Sequence, residues 1–422
     1  MTPMPERHIG PLNTGRVLRG VAILLLPIAL FASKGVAPLF VISAVLVFIL
    51  GFDTGRIRTI LRQPVALGLI AFLTLAAISA IWSIEPASSL RTALTLAATF
   101  FGGLFLADTV NVLKEEERKK LYLGIVVGGV LALLLIIFEQ LTDGFLTRTI
   151  QIAKGNNIST AKNMLAGLNS GMSVLAIFAW PWALAVKNRF GTTASVLALL
   201  MSIVVIFLSS ADTPALAFVV GLLVAVLSLV SRKIVLALAA VLTVAGITLA
   251  PLVPGLLPDP HTEARAYSSL SNSGVHRLAI WQTVAEHISK DPVLGIGMNG
   301  TRFLYGNADR VVNVFAADDP AKMWKNLAEP IPLHAHNGVL QIWLELGGVG
   351  ALLLAGVLLM VMWRIRQGFD DIVATALRLG MLFSGMILFS LSFGPWQGWW
   401  QAAIWLSIMM MPAAGTATKE VG

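Results

Sequence analysis

The chain has 422 residues, of which 57% are hydrophobic and only 12% charged, and its mean hydropathy is +0.82. A soluble fold cannot hide this much apolar surface, so the composition excludes a disordered chain and an ordinary cytosolic enzyme and makes lipid the solvent. Cysteine is absent, which excludes disulfides, thiolate zinc sites, iron–sulfur clusters and a cysteine nucleophile; the net charge of +8 reads first as membrane topology, because Lys and Arg collect on the cytoplasmic side.

A spanning helix needs ~20 mostly apolar residues, and about twelve segments satisfy that criterion. Nine begin near Val17, Val36, Pro64, Leu90, Leu121, Asn163, Thr192, Thr213 and Lys233. A long, mostly polar stretch, 252–333, follows, and three more spans begin near Asn337, Ile372 and Gln397. The expected fold is therefore all-α and polytopic, with one large external loop containing short helices. Its parts are 1–251 (nine helices), 252–335 (the loop) and 336–422 (three helices).

The positive-inside rule checks this count. With Arg7, Arg16 and Arg19 in the cytoplasm, alternate loops carry Arg56/Arg58/Arg62, Lys114/Arg118/Lys119/Lys120, Lys187/Arg189, Arg232/Lys233 and Arg364/Arg366, all on one side. An even number of spans puts both termini inside. Arg16 and Arg19 before an apolar run resemble a signal peptide. Removing that run would invert every later loop, so it reads as a retained helix. Trp180, Trp182, Trp396, Trp399 and Trp400 fall near segment ends and read as interfacial anchors. No internal repeat or low-complexity tract is evident.

Two external loops are richer in basic residues than the rest. The first, 142–162, carries Arg148, Lys154 and Lys162, with Asp143 as the nearby acid. Such a loop suits either an anionic phospholipid or a diphosphate. Asp212, at the next external helix end, reads as a helix cap.

The second is the long loop. Pro258-Asp259-Pro260 leads to Arg265, and 273–290 reads as a helix with Leu278, Trp281, Ala285 and Ile288 at helical spacing. Asp291-Pro292 stops the helix, and Gly295 and Gly297 form a turn. Arg265 and Arg277 are either solvated arginines or a bidentate grip on a diphosphate.

Five of the six histidines, His261, His276, His287, His334 and His336, lie in this loop or at its edge, which marks the active face. His334 and His336 stand where the chain re-enters the membrane, and an imidazole there can act as a general base, its ordinary pKa being ~6.5. No carboxylates cluster beside them, so a metal site is disfavoured. Glu345 lies about two turns inside the bilayer, counted from Asn337, and is either functional or a structural hydrogen-bond partner.

These residues resemble the O-antigen ligase and polymerase superfamily. The resemblance rests on His336-Asn337-x-x-Leu340-Gln341-x-x-x-Glu345-x-Gly347-x-x-Gly350, on Arg277-x-x-x-Trp281 and on Pro292-x-x-Gly295-x-Gly297. It covers most of the chain in architecture and about 265–350 in motif. The chain departs from the pattern at Asn169-Ser170 and Ala211-Asp212, where many relatives carry an arginine.

The resemblance implies a metal-independent, cofactor-free glycosyltransferase of the bacterial inner membrane. It would move O-antigen from undecaprenyl diphosphate to lipid A–core at the periplasmic face, with no nucleic-acid partner. In that reading His336 is the catalytic base. Arg265, Arg277, Arg148, Lys154 and Lys162 hold the diphosphate, and His334, Asn337 and Glu345 support the site. A polymerase would differ only in its acceptor. An anionic-solute transporter, with Arg378 and Glu345 on its path, is the competing class.

Overall fold

The computed structural model describes residues 13–155, 167–209, 211–260, 264–267, 270, 272–305, 311–315, 324–328, 330–368 and 370–411. In chain order the α-helices are α1 (Thr14–Phe31), α2 (Val36–Gly51), α3 (Thr54–Leu61), α4 (Pro64–Ile78), α5 (Pro86–Asn111), α6 (Glu115–Leu141), α7 (Phe145–Ala153), α8 (Asn169–Phe190), α9 (Thr192–Leu208), α10 (Asp212–Val230), α11 (Arg232–Thr248), α12 (Asn272–Lys290), α13 (Gly338–Arg366), α14 (Ile372–Leu391) and α15 (Gly398–Met409).

All twelve expected apolar segments are helical. Nine helices among the described residues, counting the 3-10 turns that continue α2 and α4, are long and apolar enough to cross a membrane. The other three expected segments, α9, α11 and α15, run for 17, 17 and 12 residues. At ~1.5 Å per residue α15 covers only about 18 Å, and it is sheathed by protein, with Trp400, Leu406 and Met409 fully buried. In the long loop, the antiparallel strands β1 (Val311–Phe315) and β2 (Trp324–Ala328) pair in the register Val311 with Ala328 and Phe315 with Trp324. The loop therefore holds a hairpin as well as the expected helix.

The core is built on α8, in which every residue from Gly171 to Val186 is buried. A helix that is apolar all round belongs inside a bundle. Helix α1 packs against α6, α8 and α2, with Leu18, Leu25 and Leu26 fully buried, so it is an integral part of the core. Trp180, Trp182 and Trp400 are likewise core residues, at 0%, 4% and 0% exposure, and not interfacial anchors. Small residues on facing helices make the space: a Cβ on Gly380 would lie 2.3 Å from the Trp180 ring, and one on Gly129 2.3 Å from Trp182.

Ion pairs agree with the charge pattern. Arg56 meets Asp108 at 2.6 Å and Lys187 meets Asp371 at 2.8 Å. Each pair joins loops that the positive-inside rule assigns to the same side.

Helix α13 is broken at Gly347, whose φ of 63° and ψ of −165° are open essentially to glycine alone. The break frees backbone groups that a continuous helix would consume, and the segment after α12 takes them. Ile296 N–H donates to Leu344 O (3.0 Å) and Gly297 N–H to Glu345 O (2.9 Å). Gly348 N–H donates to Pro292 O (2.8 Å) and Val349 N–H to Val293 O (3.3 Å). The glycine motifs on either side of the site are thus one structural device, which seats the long loop in a notch of the membrane bundle.

Candidate functional site

The site forms where α12 crosses the start of α13. Ile280, Val284 and Ile288 of α12 pack on Ile331, Ala335, Leu340 and Leu344 in one buried cluster. Arg277 and Trp281, four residues apart, share a helix face. Trp281 donates from Nε1 to the Ala335 carbonyl (3.1 Å), between the two histidines. Asn337 caps α13, its side chain accepting from Val339 N–H (3.1 Å) and Leu340 N–H (3.0 Å).

His336 adopts a left-handed backbone (φ 51°), which turns its ring against that of His334, 4.1 Å away between centroids. The hydrogen bonds fix both tautomers. His336 Nδ1 faces the Ser392 carbonyl (3.4 Å); a carbonyl can only accept, so Nδ1 carries the proton and Nε2 presents a lone pair. The His336 backbone N–H donates to His334 Nδ1 (3.2 Å), so a neutral His334 carries its proton on Nε2. One ring offers an acceptor and the other a donor.

Arg277 donates to the Leu391 carbonyl (3.1 Å). Since Leu391 and Ser392 are consecutive, with Cα atoms about 3.8 Å apart, the guanidinium and the His336 imidazole are anchored side by side at the end of α14.

Burial pushes the His336 imidazole down to about 4, with help from His334, Arg277 and His276 and against the Ser392 carbonyl. His334 is lowered by burial and by the charges of Arg277 and Arg302. Both rings are therefore neutral at pH 7, and His336 is a weaker base than its ordinary value implied. Burial lowers Arg277 as well, opposed by Asp212. Asp212 is not the cap of α10, contrary to expectation, since Ala211 holds that position; it stands in the first turn of α10, where its charge acts on Arg277.

Glu345 is fully buried and is satisfied by the long loop, by its own helix and by the loop between α14 and α15. It accepts from Asn299 N–H (2.5 Å), the Thr301 hydroxyl (2.6 Å), the Gln341 amide (3.0 Å) and Trp396 Nε1 (2.5 Å).

The remaining cations divide. Arg148, on α7, is half-exposed and pairs with Asp143 at 3.6 Å; Lys154 caps the end of α7 and is exposed. Among the described residues no hydrogen bond or ion pair links either to the histidine pair. Arg265 sits in the 3-10 turn Ala264–Tyr267, where only its backbone is described. Lys162 and His261 lie outside the described residues. His287 is tied away from the pair, its Nδ1 on Thr283 O (2.8 Å) and its Nε2 near the Tyr305 hydroxyl (3.2 Å).

Sequence reasoning missed three residues. Arg302 is exposed and near enough to oppose protonation of His334. Trp396 is a ligand of Glu345, not an interfacial anchor. Glu139 is buried at the end of α6 and accepts from Leu146 N–H (2.7 Å) and Thr147 N–H (2.9 Å), holding the start of α7. The basic turn Gly300–Phe303 was a visible signal for Arg302; nothing local marked the other two. Among the described residues no three His, Asp or Glu side chains come together as a metal-holding group.

Residues 197–355, which contain the Arg277–His334–His336–Glu345 constellation, match the O-antigen ligase family. A Rickettsia felis protein provisionally named a polysaccharide ligase is 29% identical over 340 residues, 79% of this chain and 76% of its own. Similarly named proteins of Rickettsia typhi and Rickettsia bellii are 27% and 29% identical, covering 80% and 79% of this chain and 78% and 76% of theirs. Together with the nine apolar helices among the described residues, these matches mark the chain as a multi-pass membrane protein that is similar to the O-antigen ligase family over residues 197–355.

Proposed function

We propose that the chain transfers a glycan from a lipid diphosphate carrier to a saccharide acceptor at the periplasmic face of the inner membrane. O-antigen on undecaprenyl diphosphate is the donor and lipid A–core the acceptor. The observation that carries this reading is the neutral His336, with its Nε2 lone pair free, anchored beside Arg277 on consecutive carbonyls.

His336 Nε2 takes the proton of the acceptor hydroxyl as that oxygen attacks the anomeric carbon. The carbon–oxygen bond to the diphosphate breaks, and the carrier leaves with the electron pair, inverting the centre. Arg277 stabilises the charge that develops on the leaving diphosphate. The bound dianion also raises the basicity of His336 when it is needed, since a nearby negative charge favours imidazolium. His334, donating from Nε2, orients either the hydroxyl or a phosphoryl oxygen. Asn337 and Glu345 hold the backbone around the pair. Arg302 extends the cationic surface, while Arg148 and Lys154 form a separate basic face toward lipid headgroups or the carrier; Arg265 and Lys162 remain candidate diphosphate ligands on residue type alone.

The test uses purified protein with undecaprenyl-diphosphate glycan and lipid A–core in the presence of EDTA, read by gel mobility of the lipid products. A larger lipopolysaccharide band is expected. Longer lipid-linked glycans instead would mean a polymerase, and substrate-independent anion uptake in proteoliposomes would mean a transporter. His336→Ala should lower transfer 10²- to 10⁴-fold, the usual worth of a general base; near-normal transfer would remove His336 from that role.

A further inference from the structure

Leu391 O and Ser392 O, which anchor Arg277 and His336, begin a loop that runs to Gln397 and α15. Within it, Trp396 donates to the Oε2 of Glu345, and the same oxygen accepts from Asn299 N–H, both at 2.5 Å. The Oε1 takes the Thr301 hydroxyl at 2.6 Å and the Gln341 amide at 3.0 Å. Asn299 reaches on to Ser88 (2.9 Å), and the neighbouring Met298 is held by Ser79 (3.0 Å) and Ser89 (2.5 Å). One buried carboxylate therefore joins α13, the turn of the long loop and the loop between α14 and α15.

We propose that Glu345 is a positioning residue for transfer: it holds the 391–397 loop through Trp396, so that the loop's carbonyls keep His336 in the tautomer with Nε2 free and keep Arg277 beside it. Its action depends on acceptor geometry rather than on charge. Asn299 N–H and Trp396 Nε1–H, both on Oε2, can only donate; on Oε1 the Thr301 hydroxyl and the Gln341 amide can reverse, and only the long contact from Thr301 N–H (3.4 Å) is given up. A glutamine at 345 can place its carbonyl toward the fixed donors and its amide toward Thr301 Oγ1 and Gln341 Oε1, an atom that is buried with no hydrogen-bond partner. Glu345→Gln thus preserves the clamp, while Glu345→Ala removes it.

The inference rests on the proposed transfer reaction, so its test has one arm that needs no substrate. In hydrogen exchange of the full-length protein in nanodiscs, Glu345→Ala should accelerate the 391–397 amides at least 10-fold and Glu345→Gln should leave them within about 2-fold. In the transfer assay, Glu345→Ala should lower kcat more than it raises KM for the donor. It should also shift the acid limb of kcat/KM upward, because a loosened loop hydrates His336. The groups facing His336 that set this limb are His334, Arg277 and His276. A purely structural loss would lower the active fraction and leave the limb in place.

Unchanged exchange at 391–397, an unmoved acid limb, or a Glu345→Gln protein as impaired as Glu345→Ala would overturn the proposal. If Glu345→Ala is not recovered, Trp396→Phe breaks the Glu345–Trp396 hydrogen bond and must reproduce a smaller version of both effects; no effect would overturn it equally. Absence of transfer by the wild-type protein, with the exchange result intact, would sink the transfer reading alone.

Discussion

Replacing Gly347 by alanine tests whether the notch in α13 holds the long loop. An alanine Cβ at this position would lie 2.2 Å from Val293 O and 2.5 Å from Leu294 N, both backbone atoms of the docked segment. Two costs follow. Holding a non-glycine residue at φ 63° and ψ −165° takes about 1–3 kcal/mol. Relieving the contact by undocking instead forfeits four backbone hydrogen bonds, Ile296–Leu344, Gly297–Glu345, Gly348–Pro292 and Val349–Val293. At roughly 1 kcal/mol each these amount to about 4 kcal/mol. The docked state should lose about 3 kcal/mol relative to the undocked one, a shift of roughly 100-fold in their ratio. Amides of 293–298 exchange through that opening. Peptides covering them should therefore exchange about 100-fold faster in the variant, while those of α8 remain unchanged. Transfer should fall with docking, because Asn299 and Thr301 leave Glu345 together with the segment. Exchange within about 3-fold of wild type would refute the steric and hydrogen-bond reasoning.

Other outcomes follow from the same geometry. The acid limb of kcat/KM should report the free enzyme's His336 and lie near 4, well below the ordinary histidine value of ~6.5; a limb at 6.5 would mean the ring is hydrated or is not the base. The sign for stability is fixed by the depressed folded value: the contribution of neutral His336 is complete above ~6.5 and is lost as pH falls from there through about 4, so thermal stability of wild type should drop over that window more than that of His336→Phe. Arg277→Ala should raise KM for the lipid-linked donor about 10- to 100-fold, the worth of a charged hydrogen bond, and move the acid limb upward, because the Arg277 charge opposes protonation of His336; a pH profile unchanged in this variant would separate the two residues. Gly380→Val should lower thermal stability by about 1–3 kcal/mol through overpacking against Trp180, with KM for the donor unaffected.

The sequence by itself determined the solvent and the order of the apolar helices. Those features are properties of composition and local periodicity: a 20-residue apolar run has few alternatives, and Lys and Arg near its ends fix its direction. The helix expected at 273–290, observed as Asn272–Lys290, was legible for the same local reason.

What only the tertiary structure decided are the long-range partnerships. Trp180 and Trp400 look interfacial along the chain and are core, because the depth of a side chain depends on which small residues face it from other helices. Glu345 could have met any neighbour; its partners come from Asn299, Thr301 and Trp396, up to 51 positions away. The two histidine tautomers were set by Ser392 O and by a backbone turn at His336, which no spacing rule contains. The low basicity of His336 is likewise a consequence of burial and of its neighbours' charges, which exist only once α12, α13 and α14 have packed together.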